Sequence, residues 1–130
     1  MKKRHSLALA ALALGGCATV PPPAAPSDGI ARAALGQTVA VDGPRVTPLD
    51  VLEDSRCPMN ARCVWAGQVR LKTRVHLGSG DRTIELVSNT PVAIADGSLE
   101  LVEVRPDRVA GGDAITAKDY RFGFRFMGGL

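Results

Sequence analysis

The final run of the chain alternates between aromatic residues and polar or small ones. Its aromatic side chains lie at every second position, Tyr120, Phe122, Phe124 and Phe126. Successive side chains of a β-strand point to opposite faces of the sheet, so a period of two predicts a strand here. We expect the four rings to share one face of the core, where each contributes about 2 to 3 kcal/mol.

From Gly36 onward the chain consists of short runs separated by Gly, Pro, Asp and Asn, with no helical periodicity. A strand is predicted over residues 64–77, because from Val69 to Leu77 apolar residues and Thr73 alternate with basic residues, and Gly78-Ser79-Gly80-Asp81 predicts a hairpin back into residues 82–88. Such closely spaced turn signals are typical of all-β proteins. The sequence therefore predicts a single antiparallel β-sandwich of about seven strands, either immunoglobulin-like or a small barrel.

Two further features refine this prediction. The apolar positions of residues 99–104 change parity after Leu101, which indicates a bulge or burial on both faces. Residues 106–118 contain two consecutive glycines and no apolar rhythm, so we expect a long loop before the final strand.

The first 16 residues have the layout of a secretory signal peptide. A basic start precedes an apolar run, residues 7–14, that is too short to span a bilayer as a helix. Leu14-Gly15-Gly16-Cys17 resembles the bacterial lipobox, which implies that Cys17 is diacylated and becomes the first mature residue. The resemblance also implies sorting to the outer membrane, facing the periplasm, because Ala18 is not the aspartate that commonly retains lipoproteins at the inner membrane. The alternatives are cleavage to a soluble periplasmic form and a buried N-terminal helix.

The segment after Cys17 has the composition of a tether. Residues 19–29 contain four prolines and almost nothing to bury, a composition that favours an extended, semi-rigid spacer. Residues 30–35 are too few to form a helix alone, so we assign them to the tether as well. The predicted organisation is a signal peptide over 1–16, a lipidated tether over 17–35 and a β-sandwich domain over 36–130.

The positive charge of the chain belongs to the leader. The formal charge is +3, and its surplus is supplied by Lys2, Lys3 and Arg4. From Cys17 onward the 13 remaining Lys and Arg residues equal the 13 Asp and Glu residues. A neutral mature chain lacks the basic surface typical of nucleic-acid binding, so we expect the membrane to be a partner only through the lipid anchor.

Cys57 and Cys63 are the two cysteines left once Cys17 is lipidated. An exported protein enters an oxidising compartment, so the pair is expected to form a disulfide that closes a seven-residue ring. On the chain-entropy model this ring stabilises the domain by about 2 to 2.5 kcal/mol. We interpret Trp65 as a core aromatic that packs against the sulfur atoms.

The disulfide holds out a polar loop between the two cysteines. Its residues Met59, Asn60 and Arg62 are the predicted binding loop, because a closed ring lowers the entropy lost when such a loop binds a partner.

Two kinds of chemical site compete with this structural interpretation. Soft ligands for Cu(I) or Zn(II) are present, but their spacing matches no compact zinc signature, and we expect no metal and no cofactor. These ligands are Cys57, Met59, Cys63 and His76. A serine hydrolase site would need Ser55 together with His76, the only histidine outside the leader, which we place on a solvated strand face.

Paired carboxylates are the third possibility. Glu53 and Asp54 are adjacent on a predicted strand, so they point to opposite faces and cannot share a proton. An ion pair with Arg56 or Arg62 is expected instead. No catalytic residue is therefore assigned, and the protein is not expected to be an enzyme.

The residues around the disulfide also carry a resemblance. They are Glu53-Asp54-Ser55-Arg56-Cys57-Pro58 followed by Cys63-Val64-Trp65-Ala66-Gly67. This pattern is similar to a motif of an uncharacterised family of small bacterial envelope lipoproteins and secreted proteins. The resemblance implies export and a compact β domain, and it supplies no reaction, cofactor or catalytic residue.

These features together predict an outer-membrane-anchored lipoprotein that acts as a non-catalytic binding or structural module of the cell envelope, with an envelope protein as its partner. Two alternatives remain open. One is a protein inhibitor or recognition module that inserts loop 57–63 into its target, and the other is a periplasmic metal-binding protein.

Overall fold

A computed structural model of the protein describes residues 12–19 and 27–129. Residues 1–11 of the predicted signal peptide and residues 20–26 of the predicted tether lie outside the described residues. The described strands are β1 (Ala31–Ala33), β2 (Val39–Ala40), β3 (Arg45–Asp54), β4 (Val69–Leu77), β5 (Gly80–Val87), β6 (Val92–Ile94), β7 (Gly97–Arg105) and β8 (Arg121–Gly128), with a short 3₁₀ helix at Ala117–Asp119 before β8. Within these ranges, no helix has the length and apolar character needed to cross a membrane.

The strands form two antiparallel sheets of four strands each. One sheet has the order β1-β8-β7-β6 and the other β2-β3-β4-β5. The predicted all-β sandwich is confirmed, and the small closed barrel is excluded because the two sheets remain separate. Eight strands are present rather than about seven, and the additional one is β1, whose three residues carry too little pattern to be recognised in the sequence.

The sheets pack face to face through the apolar residues that the sequence pattern identifies. All four aromatic residues of the C-terminal run are buried, with Phe122 and Phe124 fully inaccessible. Tyr120 stacks on Phe122 with 5.5 Å between ring centroids. Other fully buried residues are Val46, Val69, Leu71, Val75, Leu86, Leu99 and Leu101.

The predicted connections are also observed. β4 and β5 form a hairpin through the Gly-rich turn. The pairing of β7 with β8 shifts register between Leu101 and Glu103, as the change of parity predicts. The chain between Arg105 and the 3₁₀ helix is the expected long loop.

The boundary between tether and domain was predicted wrongly. β1 pairs with β8, with Ala31 opposite Phe124 and Ala33 opposite Phe122, and Ala33 is fully buried. Residues 31–33 therefore belong to the sandwich rather than to the tether assigned over 17–35. Backbone hydrogen bonding to the edge of β8 holds this strand, and its three residues, Ala31, Arg32 and Ala33, are too few to show an apolar pattern that would reveal it.

One end of the sandwich carries both long connections. β3 ends there at Asp54 and β7 ends there at Arg105. We call residues 55–67, between β3 and β4, the tip, and residues 106–116, after β7, the brace loop. β1 runs antiparallel to β8 and towards this end, so the chain enters β1 from the side opposite the tip, after a turn at residues 27–29.

Candidate functional site

The predicted disulfide closes the tip. Cys57 and Cys63 are joined, with 5.9 Å between their Cα atoms. Between the sheet and the ring, the segment after β3 remains hydrogen-bonded to the segment before β4. The Ser55 amide donates to the Gln68 carbonyl at 2.9 Å, and the Cys57 amide donates to the Ala66 carbonyl at 2.8 Å. The ring therefore stands on an extended hairpin at the end of the sandwich.

A partly buried ion pair anchors the base of the tip. The Arg56 guanidinium donates two hydrogen bonds of 2.8 Å to the Asp54 carboxylate, which also accepts a 2.8 Å bond from the Tyr120 hydroxyl. Arg56 further donates to the Val104 carbonyl at 2.9 Å. This cluster confirms the predicted pairing of Asp54 with an arginine and joins the two sheets beneath the tip.

The contacts within this cluster shift the ionisation of its members. Burial by itself opposes the charge of Asp54, but the hydrogen bonds from Arg56 and Tyr120 outweigh it, and the pKa of Asp54 is lowered below its ordinary value. Burial and the hydrogen bond to Asp54 raise the pKa of Tyr120 to about 12. Asp54 is thus a carboxylate and Tyr120 a neutral donor across the physiological range.

The brace loop holds one half of the tip. The Met59 amide donates to the Arg108 carbonyl at 2.8 Å. The Asn60 side chain donates to the Ala110 carbonyl at 3.2 Å and accepts from the Ala110 amide at 2.7 Å. Asn60, predicted as a binding residue, therefore uses its side-chain amide to hold the tip against the brace loop. Met59 remains 69% exposed.

The other half of the tip is held differently. Among the described residues, no hydrogen bond is formed by residues 62–65. Their position depends on the covalent link at Cys63 and on the hairpin that resumes at Ala66. The disulfide therefore positions this segment, which carries Arg62, Val64 and Trp65.

Trp65 does not belong to the core, and this prediction was wrong. Its side chain is 66% exposed and that of the neighbouring Val64 is fully exposed. The disulfide lies beyond the end of the two sheets, so no inner face is available for an indole to pack beside it. The exposure of Met59 agrees with its assignment to the binding loop, whereas the exposure of Val64 and Trp65 was missed in the sequence. A signal was present, because a separation of six residues already rules out an inter-sheet bridge of the immunoglobulin type.

A shallow cavity lies beside the tip. Its volume is about 750 Å³, and the brace loop and Pro58 line it. Val109, which is half exposed, and Ile115 contribute apolar surface to its wall. The apolar wall of this cavity and the exposed apolar side chains of the tip therefore lie at the same end of the sandwich.

The alternative ligands for a metal are not assembled into a site. Both cysteines are oxidised, so neither offers a thiolate. His76 is bonded instead, with its Nε2 at 2.8 Å from the Thr47 hydroxyl and its Nδ1 at 2.9 Å from the Asp81 carboxylate. In the chain as described, no group of three or more His, Cys, Asp or Glu residues could hold a metal ion.

The structure also separates the residues considered for hydrolysis. The Ser55 hydroxyl bonds the backbone of Gln68, and it forms no hydrogen bond with His76. The Asp81–His76–Thr47 chain has the order of a catalytic triad, but Thr47 is only 8% exposed and its hydroxyl also lies 2.6 Å from that of Thr38. We interpret the chain as a support for the outer face of β3, β4 and β5.

Trp65 is the only tryptophan, so its fluorescence reports the tip directly. We expect the folded protein to emit close to the wavelength of a solvated indole and to shift little on unfolding, because the side chain is already 66% exposed. Reducing the disulfide is expected to lower the fluorescence anisotropy while the circular dichroism of the sheets persists. An emission maximum that moves strongly to the red on unfolding would show that the indole is buried.

Comparisons with protein-family models, with curated proteins and with solved structures found no match to this chain.

Proposed function

We propose that the protein is an exported, outer-membrane-anchored lipoprotein that acts as a non-catalytic binding module, with the tip as its recognition surface. The lipobox-like Leu14-Gly15-Gly16-Cys17 supports export and anchoring. The observation that carries the binding role is the exposure of Met59, within the disulfide ring, and of Val64 and Trp65, which directly follow it.

The physical form of the tip suits recognition. Tryptophan is enriched among the residues that contribute most to protein interfaces, since it brings a large apolar area and loses little conformational entropy. A loop closed by a disulfide and hydrogen-bonded to a second loop is already ordered before it binds. Binding then requires little further ordering, which leaves more of the contact energy as affinity.

The position of the tip is compatible with a protein partner on the periplasmic side. The chain enters β1 from the side opposite the tip, after a turn at residues 27–29. A tether of polyproline type from Cys17 to Ile30 would reach about 40 Å. Such a tether would allow the domain to present the tip away from its anchor.

The test uses one exposed apolar residue at each end of the sandwich. Purified lipid-free protein is immobilised and incubated with solubilised envelope proteins, and the bound protein is quantified for wild type, Trp65→Ala and Met127→Ala. We expect Trp65→Ala to lower recovery of the bound protein at least tenfold. Met127→Ala is the matched control, because Met127 is 62% exposed and lies near the far end of β8.

Equal recovery with the two variants would contradict the proposal, because binding would then not involve the tip. Sustained turnover of a defined substrate by the purified protein would contradict its non-catalytic character.

A further inference from the structure

We infer that the partner presents an acidic surface, in which carboxylates that pair with Arg62 border an apolar pocket for Trp65. This inference rests on the proposed binding role of the tip. It assigns to the partner negative charge that complements Arg62, the charged residue of the disulfide ring.

Two of the arginines at this end of the sandwich are paired with acids. Arg56 is bonded to Asp54 at 2.8 Å, and Arg105 is bonded to Asp107 at 2.9 Å. Arg62, in contrast, forms no ion pair and no hydrogen bond with any described residue, and its side chain is exposed. Residues 55–67 contain no Asp or Glu that could compensate it.

The brace loop does not neutralise the positive charge of Arg62. Its Asp107 forms an ion pair with Arg105, so Asp113 is the carboxylate of this loop that has no ion-pair partner among the described residues. Arg108 offsets Asp113, and its guanidinium donates to the Arg56 carbonyl at 2.7 Å rather than to an acid. The apolar side chains of the tip therefore lie beside a net positive charge.

Binding through Trp65 makes this charge decisive. Arg62 is two residues from Val64 and three from Trp65, which directly follow the ring closed at Cys63, so a partner that buries these side chains also removes water from the guanidinium. A desolvated cation without a partner is strongly unfavourable. A surface that covers Trp65 must therefore offer acceptors to Arg62, and a carboxylate fits the planar guanidinium best because it can accept two parallel hydrogen bonds.

Anionic lipid headgroups could also pair with Arg62. A single exposed cation contributes only about 1 kcal/mol at an anionic membrane surface. The tip also lies opposite the side from which the chain enters β1. The structure therefore favours an acidic protein surface, and lipid binding is an outcome that the experiment distinguishes.

The test places a photocrosslinking amino acid in the full-length protein inside the cells that produce it. It replaces the fully exposed Val64 in one version and Met127 at the far end in the other. We expect one discrete protein adduct from position 64 that is absent from position 127. Arg62→Glu should lower its yield at least tenfold, and Arg62→Lys should lower it less because the charge remains.

The matched control for charge is Arg74→Glu. Arg74 is exposed on the outer face of β4 and, like Arg62, forms no ion pair among the described residues. We expect this change to leave the adduct unaffected. Thermal unfolding of Arg62→Glu should match that of wild type, which shows that the lost adduct does not reflect a lost fold.

The outcomes separate the inference from the proposed function. A position-64 adduct that is unchanged by Arg62→Glu overturns the acidic partner and leaves the tip as a binding surface. Equal products at positions 64 and 127 overturn both. Adducts with phospholipid alone, together with a blue shift of Trp65 emission on vesicles of phosphatidylethanolamine and phosphatidylglycerol, overturn both in favour of membrane binding.

Discussion

Asp54→Ala is expected to lower the free energy of unfolding by about 2 to 4 kcal/mol. Asp54 accepts two hydrogen bonds from Arg56 and one from Tyr120, and its side chain is only 11% exposed. Removing it leaves a guanidinium and a hydroxyl without their acceptor in a place that water reaches poorly. Urea unfolding followed by circular dichroism measures the change.

The matched control is Asp50→Ala on the same strand. Asp50 is exposed and forms no ion pair among the described residues, so we expect a change within about 0.5 kcal/mol. Asp54→Asn keeps the shape of the side chain and removes its charge, so its loss of stability should lie between those of Asp54→Ala and Asp50→Ala. If Asp54→Ala and Asp50→Ala have equal effects, the cluster at the base of the tip does not stabilise the fold.

The stabilisation by Asp54 depends on pH with a definite sign. Its pKa in the folded protein is lowered from the ordinary value of 3.8. The unfolded chain therefore takes up the proton first as the pH falls. The difference in stability between wild type and Asp54→Asn should be complete well above pH 3.8 and should shrink as the pH falls below it; a difference that grew on acidification would contradict this assignment.

Gly67→Ala is expected to destabilise the protein by about 3 kcal/mol and to disrupt the tip. Gly67 has a φ of +71°, and an added Cβ would lie 1.8 Å from the Ser55 carbonyl oxygen. The chain must then separate where Ser55 pairs with Gln68 and Cys57 pairs with Ala66. Trp65, two residues before Gly67, should lose its fixed position as well.

The control for this substitution is Gly78→Ala in the β4–β5 turn. A Cβ on Gly78 would meet no atom within 4 Å, and its φ lies outside the left-handed region. We expect its stability to stay within about 0.5 kcal/mol of wild type. Chemical unfolding and Trp65 anisotropy, measured on both variants, check the prediction. Equal stability of the two alanine variants would show that the close approach at Gly67 is relieved without cost.

Local sequence pattern was sufficient for the strands whose side chains alternate over many residues. The buried rings of β8, the hairpin of β4 and β5, and the bulge in β7 all follow from period-two alternation and turn chemistry. These signals lie within one or two neighbouring strands, so they can be recognised without knowing the rest of the fold. β1 lacks them because it has three residues and is held by backbone bonds to the edge of β8.

The tip shows where sequence reasoning stops. The disulfide between Cys57 and Cys63 followed from export and spacing, and the structure confirms it. The exposure of Trp65 and the use of Asn60 as a brace could not be predicted, because both depend on which loops meet at one end of the sandwich. The residues of the brace loop lie about fifty positions away in sequence, and no local pattern reports that meeting.

Sequence pattern alone is enough to predict an all-β chain with a closed ring before β4 and an aromatic strand at its C-terminal end. The position of the ring beyond the core follows from the fold, because strand order and connection length set where each loop emerges. That placement turns Trp65 from an expected core residue into an exposed one, with Arg62 unpaired beside it. A side chain is buried or exposed according to what covers it, and no other part of the described fold covers Trp65 or Arg62.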